Sequence, residues 1–126
     1  MNTITCLEQL GIGMTFDVAT LKGHVRRLAE EHPDNVYNKP DGIGPCVYGS
    51  GTCTDGSVGC IVGQGLKAMG VDPVALDEYV GEEPSGIDDI LDDAGLARDP
   101  WLSDVQAAQD EGRTWARAVR YADDRK

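Results

Sequence analysis

The stretch Cys46–Gly70, CVYGSGTCTDGSVGCIVGQGLKAMG, decides how this chain is read. It carries three of the four cysteines and seven of the sixteen glycines, and its pattern changes from strand-like to helix-like partway along. Val47 and Tyr48 precede Gly49-Ser50-Gly51, and Thr52, Cys53 and Thr54 precede Asp55-Gly56. Turn residues between short β-prone arms predict a small antiparallel β-hairpin near residues 46–55. Arms so short are not stable alone in water, so the ribbon must lie on an apolar support. Beyond it, Cys60, Ile61, Leu66 and Met69 fall near one helical face, and Gly70 stands where a left-handed terminal residue is wanted. This predicts a helix from about Gly59 to Met69. Gly63 and Gly65 each cost such a helix about 1 kcal/mol relative to alanine, which points to another backbone packed closely on it.

Outward from this segment the chain is punctuated by helix signals. Upstream, Asp17 can cap a helix whose apolar stripe is Val18, Leu21, Val25, Leu28 and Ala29, with Phe16 and Leu21 positioned as a hydrophobic staple and Pro33 forcing an end near Glu31 or His32. Residues 3–10 fit a strand or a short helix equally well, and Pro33 to Pro45 is an irregular connection that delivers Tyr37. Downstream, Asp72-Pro73 opens a short helix closed by Gly81, and Ser85 with Asp88 resembles a capping box ahead of Ile87, Ile90, Leu91 and Ala94. Asp99-Pro100 repeats the cap-plus-proline device. Leu102, Val105, Ala108, Gly112, Trp115, Val119 and Ala122 then recur every three or four residues, predicting one long helix over about 100–123.

A length of 126 residues with 40% hydrophobic content suits a single domain with one modest core. The fold class expected is α+β, mainly helical, with four to five helices and the small ribbon. No apolar run is long enough to span a bilayer, and the first residues lack a secretory signal, so a cytoplasmic location is expected. The net charge of -11 is unevenly spread: thirteen Asp and Glu stand between Asp72 and Glu111 against Arg98, whereas Arg113, Arg117, Arg120, Arg125 and Lys126 follow. A field of that sign repels nucleic acid and anionic lipid and draws basic partners over a Debye length of roughly 10 Å.

Several constellations bear on chemistry. Cys46, Cys53 and Cys60, with His24, His32 or Cys6, could compose a tetrahedral zinc site, but the close cysteine knuckles of structural sites are absent and separate thiols are the expectation. Cys60 at a helix N-terminus is a candidate reactive thiol, for which His24 or His32 would have to act as base. Asp88, Asp89, Asp92 and Asp93 lack calcium-loop spacing and read as a charged helix face, a candidate surface for a basic partner. Arg113, Arg117 and Arg120 lie beside the apolar stripe of the last helix, where ion pairs with the preceding helix or Asp110 would occupy them; Arg113 and Arg117 are the candidate interaction residues there. Trp101 and Trp115 read as core anchors. Gly49-Ser50-Gly51 and Gly63-Gln64-Gly65 lack the lysine and strand context of phosphate loops.

The segments GCIVGQGLKAMGVD (Gly59–Asp72) and VQAAQDEGRTWARAV (Val105–Val119) resemble small orphan proteins encoded by phages of mycobacteria and other actinobacteria. The resemblance implies a small soluble phage protein acting in a bacterial cytoplasm, accessory or host-directed, and brings no catalytic signature. The reading that results is a non-enzymatic module without metal or other cofactor that binds a host protein with a basic or apolar surface. A thiol-dependent enzyme centred on Cys60 and a zinc-stabilised protein stand as alternatives. The helix glycines would serve an internal contact or a homodimer interface equally.

Overall fold

The computed structural model of the chain describes residues 12, 16–38, 48–49, 51–80 and 86–125. They form an α+β arrangement of six helices and one two-stranded antiparallel ribbon. In order these are α1 (Val18–Glu31), β1 (Tyr37–Asn38), β2 (Thr52–Cys53), α2 (Ile61–Ala68), α3 (Pro73–Val80), α4 (Ile87–Asp93), α5 (Pro100–Asp110) and α6 (Trp115–Asp124). Among the described residues no helix is long and apolar enough to cross a membrane.

Local chemistry sets most boundaries. Asp17 caps α1 by accepting the Ala19 N–H at 3.0 Å, Asp72 accepts those of Val74 and Ala75 at the start of α3, and Asp99 caps α5 through the Leu102 N–H at 3.0 Å. Leu21, Val25 and Ala29 are the buried stripe of α1, one every four residues. Helix α2 is different: Ile61, Val62, Gly63, Gly65 and Leu66 are all buried, a broader enclosed face that leaves Lys67 and Ala68 exposed and Gln64 half-buried. It packs on α1, α3 and α5, while α5 also packs on α4 and α6, and one cluster of buried apolar side chains joins all of them. Each fully buried Leu or Ile in that cluster contributes about 1.5–3 kcal/mol.

The two helix glycines of the central segment are contact points. A Cβ on Gly63 would lie 2.0 Å from the Tyr48 carbonyl oxygen, and one on Gly65 would press on Leu21 and Val25 of α1 at 3.0 and 3.1 Å. The expectation of a close backbone against this helix is met at Gly63, and at Gly65 the close neighbours are side chains.

Three features depart from the local reading. The apolar run over 100–123 is two helices, because Gly112 takes a φ of 92° just past the end of α5 and Thr114 caps α6 through the Arg117 N–H at 3.3 Å. The partner of Thr52–Cys53 is Tyr37–Asn38, in the register Tyr37↔Cys53 and Asn38↔Thr52, and Thr52 bridges Val58 across the Asp55-Gly56 turn. Tyr48 lies in a turn, and Cys46 and Val47 are outside the described residues. The N-cap of α4 is Gly86, without a side-chain cap of its own, in place of the capping box expected from Ser85, which is also outside them.

Candidate functional site

Two buried glutamines, Gln106 and Gln109, and the half-buried Asp77 gather around Tyr48 and the N-terminal end of α2. Asp77, on α3, accepts the N–H groups of Tyr48 and Gly49 at 2.8 and 2.7 Å. Burial pushes its carboxyl above the ordinary range while these two bonds pull it back. So held, the Tyr48 backbone lies where only a glycine at position 63 leaves room for it. The Tyr48 hydroxyl in turn receives the Nε2–H of Gln106 at 3.3 Å, and the Oε1 of the same Gln106 accepts the Ile87 N–H at 2.8 Å. One turn further along α5, Gln109 Oε1 accepts the Ile61 N–H at 2.7 Å and its Nε2 donates to Asp110 at 3.1 Å. Two glutamines on one face of α5 thus satisfy orphan N–H groups at the starts of two other helices. The start of α6 is treated alike by main chain: the N–H groups of Trp115 and Ala116 donate to the carbonyls of Asn35 and Pro33 at 2.9 and 3.1 Å.

Cys60 is the N-cap of α2, as its position suggested, and is fully buried; its Sγ accepts the Gly63 N–H at 3.4 Å. Cys53 is buried too; burial pushes its thiol up, and the retained proton is donated to the Gly59 carbonyl at 3.4 Å. Gln64 closes this corner by donating to Ser57 Oγ at 2.9 Å and to the Gly59 carbonyl at 3.1 Å. The histidines are engaged elsewhere. His32 Nδ1 is 3.5 Å from Asp55 and its ring meets Trp115 edge-on at 6.4 Å, while His24 Nδ1 lies 3.0 Å from Arg27. Among the described residues no group of three or more His, Cys, Asp or Glu is placed to hold a metal, and Cys6 and Cys46 lie outside them.

Because a hydroxyl can replace the thiol as cap acceptor, Cys60→Ser is expected to alter unfolding free energy by less than about 1 kcal/mol, whereas Cys60→Ala loses about that much or more. Urea denaturation of the two variants separates these outcomes.

The four aspartates of α4 do not act as one face. Asp88 is half-buried and accepts the Asp99 N–H at 3.0 Å, and Asp92 is paired with Arg98. Asp89, Asp92 and Asp93 are exposed. Near α6 ion pairs lie at its two ends, and Arg125 reaches α5. Arg113 reaches Glu111 at 3.5 Å and lies over the Tyr121 ring at 4.6 Å, and Arg125 pairs with Asp104 at 3.3 Å. Arg117 and Arg120 are exposed and make no ion pair among the described residues. Trp101, with Lys22 and Arg26 over its ring, donates its indole N–H to Asp123 at 2.8 Å, and Asp123 also receives both ends of the Arg26 fork. Both tryptophans are buried, as core anchors should be.

Sequence reasoning did not single out Gln106, Gln109, Asp77, Asn35 or Tyr121. Glutamines inside an apolar stripe are the one faint signal, since a polar residue on a buried face requires a partner. Comparison with known proteins gives no matching family model, no matching curated protein and no matching solved structure.

Proposed function

We propose that this protein is a non-enzymatic binding module, an accessory protein of an actinobacterial phage that engages a host protein through its charged exterior. One observation carries the reading. The buried polar side chains Cys60, Gln106, Gln109 and Asn35, with the half-buried Asp77, each accept a main-chain N–H and so hold the fold together. A nucleophile needs a free base and a route to substrate. Cys60 is instead enclosed and engaged as a cap, with both histidines turned to other partners.

The groups left to meet another molecule are those on the surface. On α4, Ile87, Ile90 and Leu91 anchor the helix in the core while Asp89, Asp92 and Asp93 are exposed, Asp92 within an ion pair to Arg98, and the strip is negative and suited to lysines or arginines on a partner. Rim charges of this kind act chiefly on association rate and salt dependence. Asp88 takes no part in the contact, because its carboxylate is bound to the start of α5.

The test is capture of a partner from an actinobacterial lysate on the tagged protein, with parallel low-salt and high-salt washes. A single stoichiometric host protein released by salt is expected. The double variant Asp89→Asn/Asp93→Asn should retain less than about a tenth of it, the effect of losing two rim charges. Undiminished capture by that variant would remove the acidic strip from the account, and loss of all capture by Cys60→Ser would return attention to the thiol.

A further inference from the structure

The solvent side of α6 carries a surface of the opposite sign. Arg117 and Arg120 stand three residues apart on the helix, Arg113 just before its Thr114 cap and Arg125 at its end, and with Tyr121 and Asp124 they line a concavity of ≈620 Å³. The other face of the same helix, Trp115, Ala118, Val119 and Ala122, is buried, so the groove is held on a firmly seated element. Tyr121 is its aromatic wall: the guanidinium carbons of Arg113 and Arg125 stand 4.6 and 5.3 Å from the ring centre. Stacking of this kind orients a planar guanidinium, and both of these also face carboxylates of the chain, Arg113 at Glu111 and Arg125 at Asp104.

Arg117 and Arg120 distinguish the groove from the rest of the surface. Arg26, Arg27 and Arg98 each have a carboxylate partner, in a chain with 22 acidic residues to choose from, yet these two have none among the described residues. Like charges three residues apart on a helix repel, so the helix gains nothing by carrying them unpaired.

We infer that this groove is a docking site for a short carboxylate-rich segment of another protein, separate from the acidic strip of α4. Arginine forks take carboxylates bidentately, which supplies the attraction. The limit on the occupant comes from the surroundings. Of the four arginines in the concavity Arg113 and Arg125 already face carboxylates and Asp124 lines it too, which leaves Arg117 and Arg120 to attract an occupant. In a chain with net charge -11 a long polyanion leaving the groove would meet repulsion, whereas a segment with two carboxylates matches the two arginines.

The experiment is fluorescence anisotropy with a short fluorescein-labelled peptide of alternating Asp and Glu, run at low and moderate salt. Matched arms use a Lys-rich peptide, a phosphoserine peptide and a single-stranded oligodeoxynucleotide. Saturable binding of the acidic peptide that weakens with salt is expected, with affinity reduced about ten-fold or more in Arg117→Ala/Arg120→Ala, whose circular dichroism and melting should match the parent. The proposal is overturned if the acidic peptide does not bind, if the double variant binds it equally well, or if the phosphopeptide or oligonucleotide binds more tightly. None of these outcomes depends on the acidic strip, so failure here and failure of host-protein capture are distinguishable.

Discussion

Gly63→Ala is expected to destabilise the protein by about 3 kcal/mol or more, lowering the thermal midpoint by roughly 10 °C. The added methyl would sit 2.0 Å from the Tyr48 carbonyl oxygen and 2.7 Å from its carbon, so it would meet main chain that cannot rotate away. That main chain is fixed from the far side by the Asp77 carboxylate, which binds the N–H groups of Tyr48 and Gly49. Relief therefore requires α2 to separate from the turn, with loss of packing on both. The helix propensity gained by the substitution, about 1 kcal/mol, is too small to offset this. Gly23→Ala supplies the control, because a Cβ there meets nothing within 4 Å and Gly23 lies in the exposed middle of α1. It should stabilise by about 0.4–1 kcal/mol, the opposite sign for the same chemical change. Urea denaturation of both variants checks the pair, and a Gly63→Ala protein as stable as the parent would mean that Tyr48 does not lie against this helix.

The second large effect belongs to Gln109→Leu, which preserves side-chain volume and removes the acceptor for the Ile61 N–H. That donor stands at the buried start of α2, in a hydrogen bond enclosed by the core, where water cannot take the place of the lost partner. An orphaned buried donor costs about 1–3 kcal/mol, to which the lost bond to Asp110 adds. Gln109→Glu keeps an acceptor but sets a buried carboxyl beside Asp110. Burial and the like charge both favour its neutral form, so stability is retained at low pH and lost as pH rises through the elevated pKa of the new group. Denaturation midpoints of the two variants at pH 5 and pH 8 test this. A leucine variant as stable as the parent, or a glutamate variant indifferent to pH, would show that the glutamine does not cap α2.

What the sequence made legible was local. Asp17, Asp72 and Asp99 announce their helices because a carboxylate cap binds N–H groups two or three residues away, and the α2 glycines announce close packing because their helix penalty needs a compensation. The split between α5 and α6 was also written locally, as Gly112 followed by the cap Thr114. It was masked because the apolar spacing through Val105, Ala108, Gly112, Trp115 and Val119 stays in phase across the break. The ribbon partner was not legible: Tyr37 meets Cys53 through a pairing between distant parts of the chain, and nothing near Thr52 specifies it. The same holds for Gln106 and Gln109, whose purpose lies at the ends of other helices. The aspartate run looked uniform, yet Asp88 is half-buried on the Asp99 N–H and Asp92 is held at the surface by Arg98, contacts that depend on how the chain runs from α4 into α5.

Site-resolved alkylation bears most directly on the claim that the deep polar groups serve the fold and the surface does the binding. The native protein would be treated with iodoacetamide near pH 8, with and without rising urea, and the fraction modified at Cys60 read by peptide mapping. As a fully buried cap, Cys60 should resist modification in native buffer and become labelled only in step with unfolding. Labelling of Cys60 in the folded protein at the rate of a free cysteine would contradict the account and make that thiol the site to pursue.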